Sequence, residues 1–492
     1  MNALPASVYT AAQVRAMDAH AIGQLGIPGY VLMCRAGEAA LGLLGEAWPD
    51  ARELLVLCGA GNNAGDGYVM ARLARQAGWR VTVSALTDPA ALRGDAAQAW
   101  RDFAAAGGQH RPFDPALLQA PSVVVDALFG TGLDRDVGGA CADCIAALNA
   151  CGKPVLSLDL PSGLHADSGA VMGVAVRATR TLTFVGLKSG LFLGAGPDHV
   201  GALSLATLGL TVPSAIGAPL MTRIGAVQVA EALPRRRKAA HKGEQGRVLV
   251  IGGGAGMPGA ARLAAEAALR VGAGLVTVAT LPANVPAIVS ARPEIICHGV
   301  ESESAVRALL AAADVVAVGP GLGQSDWARG LFEAALAAGK PLVVDADALN
   351  LLARTSRQGP RWVLTPHPGE AARLLGVEPS AVQADRLAAI QALVGRYGGV
   401  TVLKGACSLV LGPSGQTWLC DAGNPGMAVA GMGDVLTGTI AGLAAQSRDL
   451  ERAAVAGTWI HARAGDLAAA RGQRGMLASD LMEALRACVN PG

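Results

Sequence analysis

The feature that most constrains this chain is a rhythm. Short runs rich in Val, Leu and Ile end in Gly-, Asn- or Asp-containing turns and are followed by Ala-rich amphipathic stretches. In the first half the runs are Leu54–Cys58, Arg80–Leu86, Ser122–Leu128, Pro154–Leu160 and Thr181–Val185. Strands separated by helix-length pieces call for crossover connections, which predicts a parallel sheet with helices on both faces. A Pro- and Gly-containing stretch at Thr211–Pro219, a helical segment and the basic run Arg235–Lys238 mark a transition. The rhythm restarts with Arg247–Ile251, Leu275–Thr280, Asp314–Val318, Pro341–Asp345, Trp362–Thr365 and Val400–Lys404. A hairpin over Gly405–Cys420 and a helical tract over Asp434–Ala470 follow. At 492 residues the chain exceeds one ordinary core, taking roughly 100 to 200 residues per domain. The expectation is an α/β chain of two three-layer αβα domains, residues 1–215 and 220–492.

Composition removes several classes. With 40 Lys+Arg against 38 Asp+Glu the formal charge is +2, which gives no footprint for a nucleic-acid partner. The basic run reads as a solvated linker. Mean hydropathy is +0.39, yet the two longest uncharged stretches, Val200–Thr222 and Val271–Ala291, each carry two prolines. Neither supplies the run of about 20 apolar residues that a membrane span needs, and both read as buried strands followed by loops. The N-terminus lacks a positive segment backed by an apolar one, so the chain is expected to stay in the cytoplasm. Nine cysteines without an export signal are expected to be reduced. Cys141 and Cys144 have metal or redox spacing, but helical periodicity over Gly138–Cys151 favours a packing role.

Three turns in the first half carry more polar chemistry than a turn requires. Gly59-Ala-Gly61-Asn62-Asn63-Ala64-Gly65-Asp66-Gly67 runs from a strand into a helix expected to begin near Tyr68. Such a turn offers backbone N–H groups and the positive end of a helix dipole to phosphate, while Asn and Asp oxygens can hold a cation. Asp126, followed by Gly130-Thr131-Gly132-Leu133-Asp134-Arg135-Asp136, stands at a second strand tip, and Asp159-Leu-Pro161-Ser162-Gly163 at a third. One Asp at a strand tip is ordinarily a cap or turn residue. Three on one sheet edge make an active-site pattern.

Together these motifs resemble the NAD(P)H-hydrate epimerase family over about residues 10–210. The resemblance implies that Asn62, Asn63, Ala64, Gly65 and Asp66, with Gly130, Thr131, Gly132, Leu133, Asp134, Arg135 and Asp136, hold the dinucleotide-like substrate. It also implies a potassium ion at Asn63, Asp126 and Ser162, and makes Asp159 the acid/base residue that contacts the substrate. Epimerisation at C6 of the hydrated nicotinamide needs proton movement, which a carboxylate supplies. Lys188 could share that role.

In the second half, Gly252–Gly259 contains a G-x-G-x-x-G spacing after a strand, but the acidic residue expected about 20 positions on is missing, so a dehydrogenase is disfavoured. Gly321-Leu-Gly323, Asp345-Ala-Asp347, His367-Pro-Gly-Glu370 and Lys404-Gly405 all follow strands. Asn424-Pro-Gly426 leads on to Gly431-Met-Gly433-Asp434, where a Gly-rich turn feeds a helix. Free N–H groups there suit the charge on a transferring phosphoryl group, and Asp434 is placed to take a hydroxyl proton. This pattern resembles the ribokinase-like superfamily, and within it the ADP-dependent NAD(P)H-hydrate dehydratases, over about residues 222–490. The fold implied is a Rossmann-like parallel sheet followed by a ribokinase-like domain. The resemblance places Ala260, Gly323, His367 and Asp434 (catalytic) against the hydrated dinucleotide. It places Lys404, Gly405, Ala406, Cys407, Ser408 and Gly433 against ADP, with Mg2+ near Asp345, Asp347 or Glu370. Met432 stands where many relatives have a small residue. NADHX, NADPHX and ADP are then the small-molecule partners, and a homo-oligomer is implied. The competing readings are a vitamin or sugar kinase with an accessory N-terminal domain, and a non-catalytic nucleotide-binding first domain.

Overall fold

The computed structural model describes residues 4–233, 235–355 and 357–490, so the outermost ends of both expected domains lie outside the described residues. The chain divides into two compact units, Met1–Met221 and Thr222–Gly492.

The first unit contains β1 (Ser7–Tyr9), β2 (Glu53–Cys58), β3 (Arg80–Ala85), β4 (His110–Arg111), β5 (Val123–Ala127), β6 (Val155–Leu158), β7 (Arg180–Phe184), β8 (Leu187–Lys188) and β9 (Ala202–Ala206). Seven of these form one sheet in the order β4-β3-β2-β5-β6-β7-β9, and every pairing in it is parallel. β1 and β8 pair separately, also in parallel. Side chains alternate faces along a strand. Leu54, Val56 and Cys58 therefore pack with the helices Gly29–Ala47, Asn62–Gln76 and Gly94–Ala105. Leu55 and Leu57 pack on the other face, against Ile145 and Leu148 of the helix Gly139–Ala150. That helix also carries Cys141 and Cys144. Burial pushes the Cys144 thiol up to about 12, as befits a core residue.

In the second unit β10 (Met221–Arg223), β11 (Arg247–Ile251), β12 (Leu275–Thr280), β13 (Ile296–Gly299), β14 (Val315–Val318), β15 (Leu342–Val344), β16 (Trp362–Leu364) and β17 (Val400–Leu403) precede a hairpin of β18 (Ser408–Leu411) and β19 (Thr417–Cys420). The order is β13-β12-β11-β14-β15-β16-β17-β18-β19-β10. The strands run parallel as far as β17, after which β18 and β19 pair antiparallel. Val248, Val250 and Ala317 pack against the helices Pro258–Arg270, Met432–Ser447 and Leu450–Ala468. Two of these helices lie backbone to backbone, since a Cβ added at Gly438 would come 1.9 Å from the Ala264 carbonyl oxygen.

Three local expectations change. The helix after β2 starts at Asn62 rather than near Tyr68, because Gly61 takes the extended N-cap geometry and the Asn-Asn-Ala-Gly-Asp segment forms its first turn. The tract after β12 is not a loop throughout: Val285–Ala291 is helical, its proline accommodated in the first turn. The long C-terminal tract is two helices, broken where Arg448 adopts a left-handed conformation. Among the described residues no helix is long and apolar enough to cross a membrane.

Candidate active sites

The carboxyl ends of β2, β5 and β6 open onto a cleft of about 550 Å³ in the first unit. Of the residues expected there, Asn62, Asn63, Asp66, Gly130, Thr131, Gly132, Leu133, Asp134, Arg135 and Asp159 line it, joined by Lys188 and Asp18. Ala64 and Gly65 are buried behind the wall, where Gly65 packs closely on Met33. Asp136 lies outside the lining. The loops converge tightly: a Cβ added at Gly130 would stand 3.5 Å from both Asn63 Cβ and Asp159 Oδ2.

Beneath the cleft Asp126 is fully buried and accepts hydrogen bonds from Ser157 Oγ at 2.8 Å, Ser162 N at 2.9 Å and Ser162 Oγ. Burial raises its pKa despite those donors. Asn63 Nδ2 donates to the Phe129 carbonyl oxygen at 3.0 Å, whereas Asn63 Oδ1 is buried with no protein partner. An orphaned amide oxygen beside a buried carboxylate, a hydroxyl and a carbonyl is a hard-oxygen donor set. It fits a hard cation, potassium among them.

Asp159 follows β6 with φ +64°, a left-handed backbone that Asp tolerates better than bulkier residues. Its Oδ1 accepts from Lys188 Nζ, and from Thr183 Oγ1 and Phe184 N at 3.3 Å each. Asp66 is held well above the usual carboxylate range by burial and by the nearby Asp159 and Asp18 carboxylates. Burial likewise raises Asp18, with Lys188 partly opposing it. Asp18 belongs to no motif. It rides on the helix Ala11–Gly23, and only the folded structure brings it to the cleft.

In the second unit Lys404, just past β17, donates to Asp345 Oδ1 at 2.9 Å and lies 3.7 Å from Glu370 Oε2. Burial disfavours the ammonium, but Asp345 and Glu370 outweigh it and hold Lys404 above its usual pKa. Asp434 is pushed up to about 7, chiefly by burial and then by the Asp345 carboxylate. Both Asp345 and Lys404 therefore share its surroundings. Gly431 has φ +91° at the N-cap of the helix that carries Gly433 and Asp434. Met432 is buried in the core cluster, so its bulk does not enter the glycine turn. Gly323 N donates to Asp347 Oδ2 at 2.8 Å, and Ala260 stands beneath Gly321. His367 caps the helix Pro368–Leu375 and is itself tied to Glu370 Oε2 through its backbone N–H at 2.8 Å. Gly405 and Ala406 are exposed, Ser408 is half-buried, and Cys407 turns inward with its thiol raised to about 12 by burial.

Motif reading overlooked Arg386. It is buried, and its guanidinium donates to the carbonyls of Leu403, Lys404 and Cys407 at 3.1, 3.3 and 3.0 Å, fixing the Lys404–Ser408 loop from behind.

The bifunctional NAD(P)H-hydrate repair enzyme of Coxiella burnetii is 49% identical over 98% of this chain and 99% of its own length. This chain belongs to the bifunctional NAD(P)H-hydrate repair enzymes. The Escherichia coli K12 member of the family is 44% identical, covering 99% of this chain and 95% of that one. A family model described as NAD(P)H-hydrate dehydratase matches residues 248–487, and one described as YjeF-related protein N-terminus matches residues 29–190. A ribokinase-like superfamily protein of Enterococcus faecalis V583 superposes with TM-score 0.50 at 29% identity, covering 54% of this chain and 94% of that structure. The repair-enzyme family thus joins a parallel-sheet epimerase unit to a ribokinase-like dehydratase unit.

Proposed function

We propose that the chain restores hydrated NADH and NADPH, with residues 1–215 interconverting the R and S epimers at C6 and residues 220–492 dehydrating the S epimer at the expense of ADP. The observation that carries this reading is the presence in one family member of two separately built sites. One has a carboxylate, Asp159, braced over a cation-type donor set; the other has a carboxylate of raised affinity for protons, Asp434, at a glycine-rich helix start.

In the first site Asn62–Asp66 and Gly130–Asp136 would hold the substrate while Asp159 moves the proton that epimerisation requires. Asn63, Asp126 and Ser162 would hold K+, which would neutralise Asp126 and order the loops. In the second, Asp434 takes the proton of the C6 hydroxyl as its oxygen attacks the β-phosphorus of ADP, and AMP leaves. The C6–O bond of the phosphate ester then breaks, phosphate departs with the bonding pair, and loss of a C5 proton restores the 5,6 double bond. Phosphorylation turns a poor leaving group into a good one. Ala260, Gly323 and His367 would flank the dinucleotide, while Lys404–Ser408 and Gly433 would hold ADP. Asp345, Asp347 and Glu370 are already engaged by Lys404, Gly323 and His367. These are the residues that would hold Mg2+, directly or through water, and the ion would supply charge neutralisation for phosphoryl transfer. The same reading includes a homo-oligomer working in the cytoplasm.

The test is recovery of the reduced-nicotinamide absorbance from a mixed R and S NADHX preparation, with ADP and Mg2+ and with each omitted. ADP-dependent recovery beyond the S fraction is expected, faster than spontaneous epimerisation allows. No recovery with ADP or ATP would overturn the dehydratase assignment in favour of a small-alcohol kinase.

A further inference from the structure

We infer that Lys188 is a positioning residue of the epimerase site: its ammonium fixes Asp159 Oδ1 so that Oδ2 alone is presented to substrate, and it neither exchanges a proton with nor bonds to the substrate. The inference rests on the reading of Asp159 as the acid/base group.

The geometry is a complete account of the ammonium's valences. A protonated lysine has three N–H donors and no acceptor. Lys188 Nζ spends them on Asp159 Oδ1, on Thr183 Oγ1 at 3.0 Å and on the Phe184 carbonyl oxygen at 2.7 Å. Its side chain is 0% exposed. No donor is left to protonate a leaving oxygen, and no face of the amine is open to attack a ring-opened aldehyde.

Asp159 shows the complementary pattern. Oδ1 takes the Lys188, Thr183 and Phe184 donors, which consume its lone pairs. Oδ2 faces the cleft beside Gly130. The end of β7 and the end of β8 thus supply, within six residues, the three donors to Oδ1. The other carboxylates facing the cleft, Asp18 and Asp66, would compete for the ammonium if its hydrogens were not already assigned.

The experiment uses the full chain, whose ADP-dependent dehydratase on pure S NADHX reports integrity independently of the epimerase. Lys188→Met should lower epimerase kcat at least 100-fold with KM for R NADHX changed less than threefold. Thr183→Val, which removes one donor from each partner, should lower kcat roughly three- to tenfold, and Lys188→Arg should recover part of what Met loses. Borohydride added during turnover, followed by peptide mass analysis, should find Lys188 unmodified. A reduced adduct on Lys188, or a loss in Lys188→Met that appears wholly in KM, overturns the inference. Should Lys188→Met fail to fold in the first unit, the Thr183→Val kinetics and the trapping of the unaltered enzyme still decide it. Full epimerase activity in Asp159→Asn would instead overturn the reading of Asp159 and leave the Lys188 trapping result standing by itself.

Discussion

Thr437 Oγ1 donates to Asp345 Oδ2 at 2.7 Å, joining the glycine-fed helix to the tip of β15. With Lys404 on the other oxygen, Asp345 is a buried carboxylate held from both sides. A hydrogen bond to a buried charge contributes about 1.5–3 kcal/mol. Thr437→Val should therefore lower the stability of the dehydratase unit by about 2 kcal/mol, read as a fall in its denaturant midpoint. The ADP KM should rise at the same time, since Lys404 follows Asp345.

Asp434 sets the pH response of dehydration. A base whose conjugate acid has a pKa of about 7 is half protonated at that pH, so kcat/KM for S NADHX should rise from pH 6 to pH 8 and then level. Asp434→Asn should lose at least about 10³-fold in kcat while epimerase activity is retained. The stability sign is opposite. A carboxyl that binds its proton more tightly folded than unfolded costs stability as pH climbs from about 4 to about 7. At pH 8 the Asn variant should accordingly be more stable by about 1–2 kcal/mol, allowing for the water that reaches this carboxyl. An activity profile flat across pH 6–8 would remove Asp434 from the proton-transfer role.

The orphaned Asn63 Oδ1 predicts a cation effect that needs no turnover to observe. At equal ionic strength KCl should raise the melting temperature of the first unit relative to tetramethylammonium chloride. Asn63→Ala should abolish the difference. An equal response in both proteins would place the ion elsewhere.

Gly438 tests the helix seam. A methyl group there would meet the Ala264 carbonyl oxygen at 1.9 Å, backbone against backbone, so Gly438→Ala must push two helices apart. A loss of about 2–3 kcal/mol is expected, together with reduced dehydratase activity because the same helix carries Gly433 and Asp434. Epimerase rates should be unchanged.

The long buried strands were legible because β-branched and Leu-rich runs bounded by Gly, Asn and Pro have few other uses: β11 and β12 fall on the expected residues, and β2, β5 and β6 lie within a residue or two. A strand was expected at the start of Val200–Thr222 and β9 stands there, though half-buried rather than buried; the strands not foreseen, β1, β4, β8, β10 and β13, are two to four residues long. β4 and much of β13 are exposed, so neither length nor apolar alternation marked them. The helix start at Asn62 was hidden by poor helix formers whose backbone the fold uses as a site wall. The polar loops announced themselves through clustered Asn, Asp and Gly. Asp18 and Arg386 did not, because each reaches its site by tertiary packing alone, from a helix with no unusual composition.

The thiols give the molecule a particular durability. All nine are free, and five of them, Cys58, Cys144, Cys407, Cys420 and Cys488, are buried with burial raising their pKa. Peroxides attack the thiolate, which such surroundings suppress and which bulk oxidants cannot reach. A catalyst that restores reduced nicotinamide thereby keeps these five sulfurs out of the redox traffic, and leaves oxidation to the half-buried Cys34, Cys141, Cys151 and Cys297.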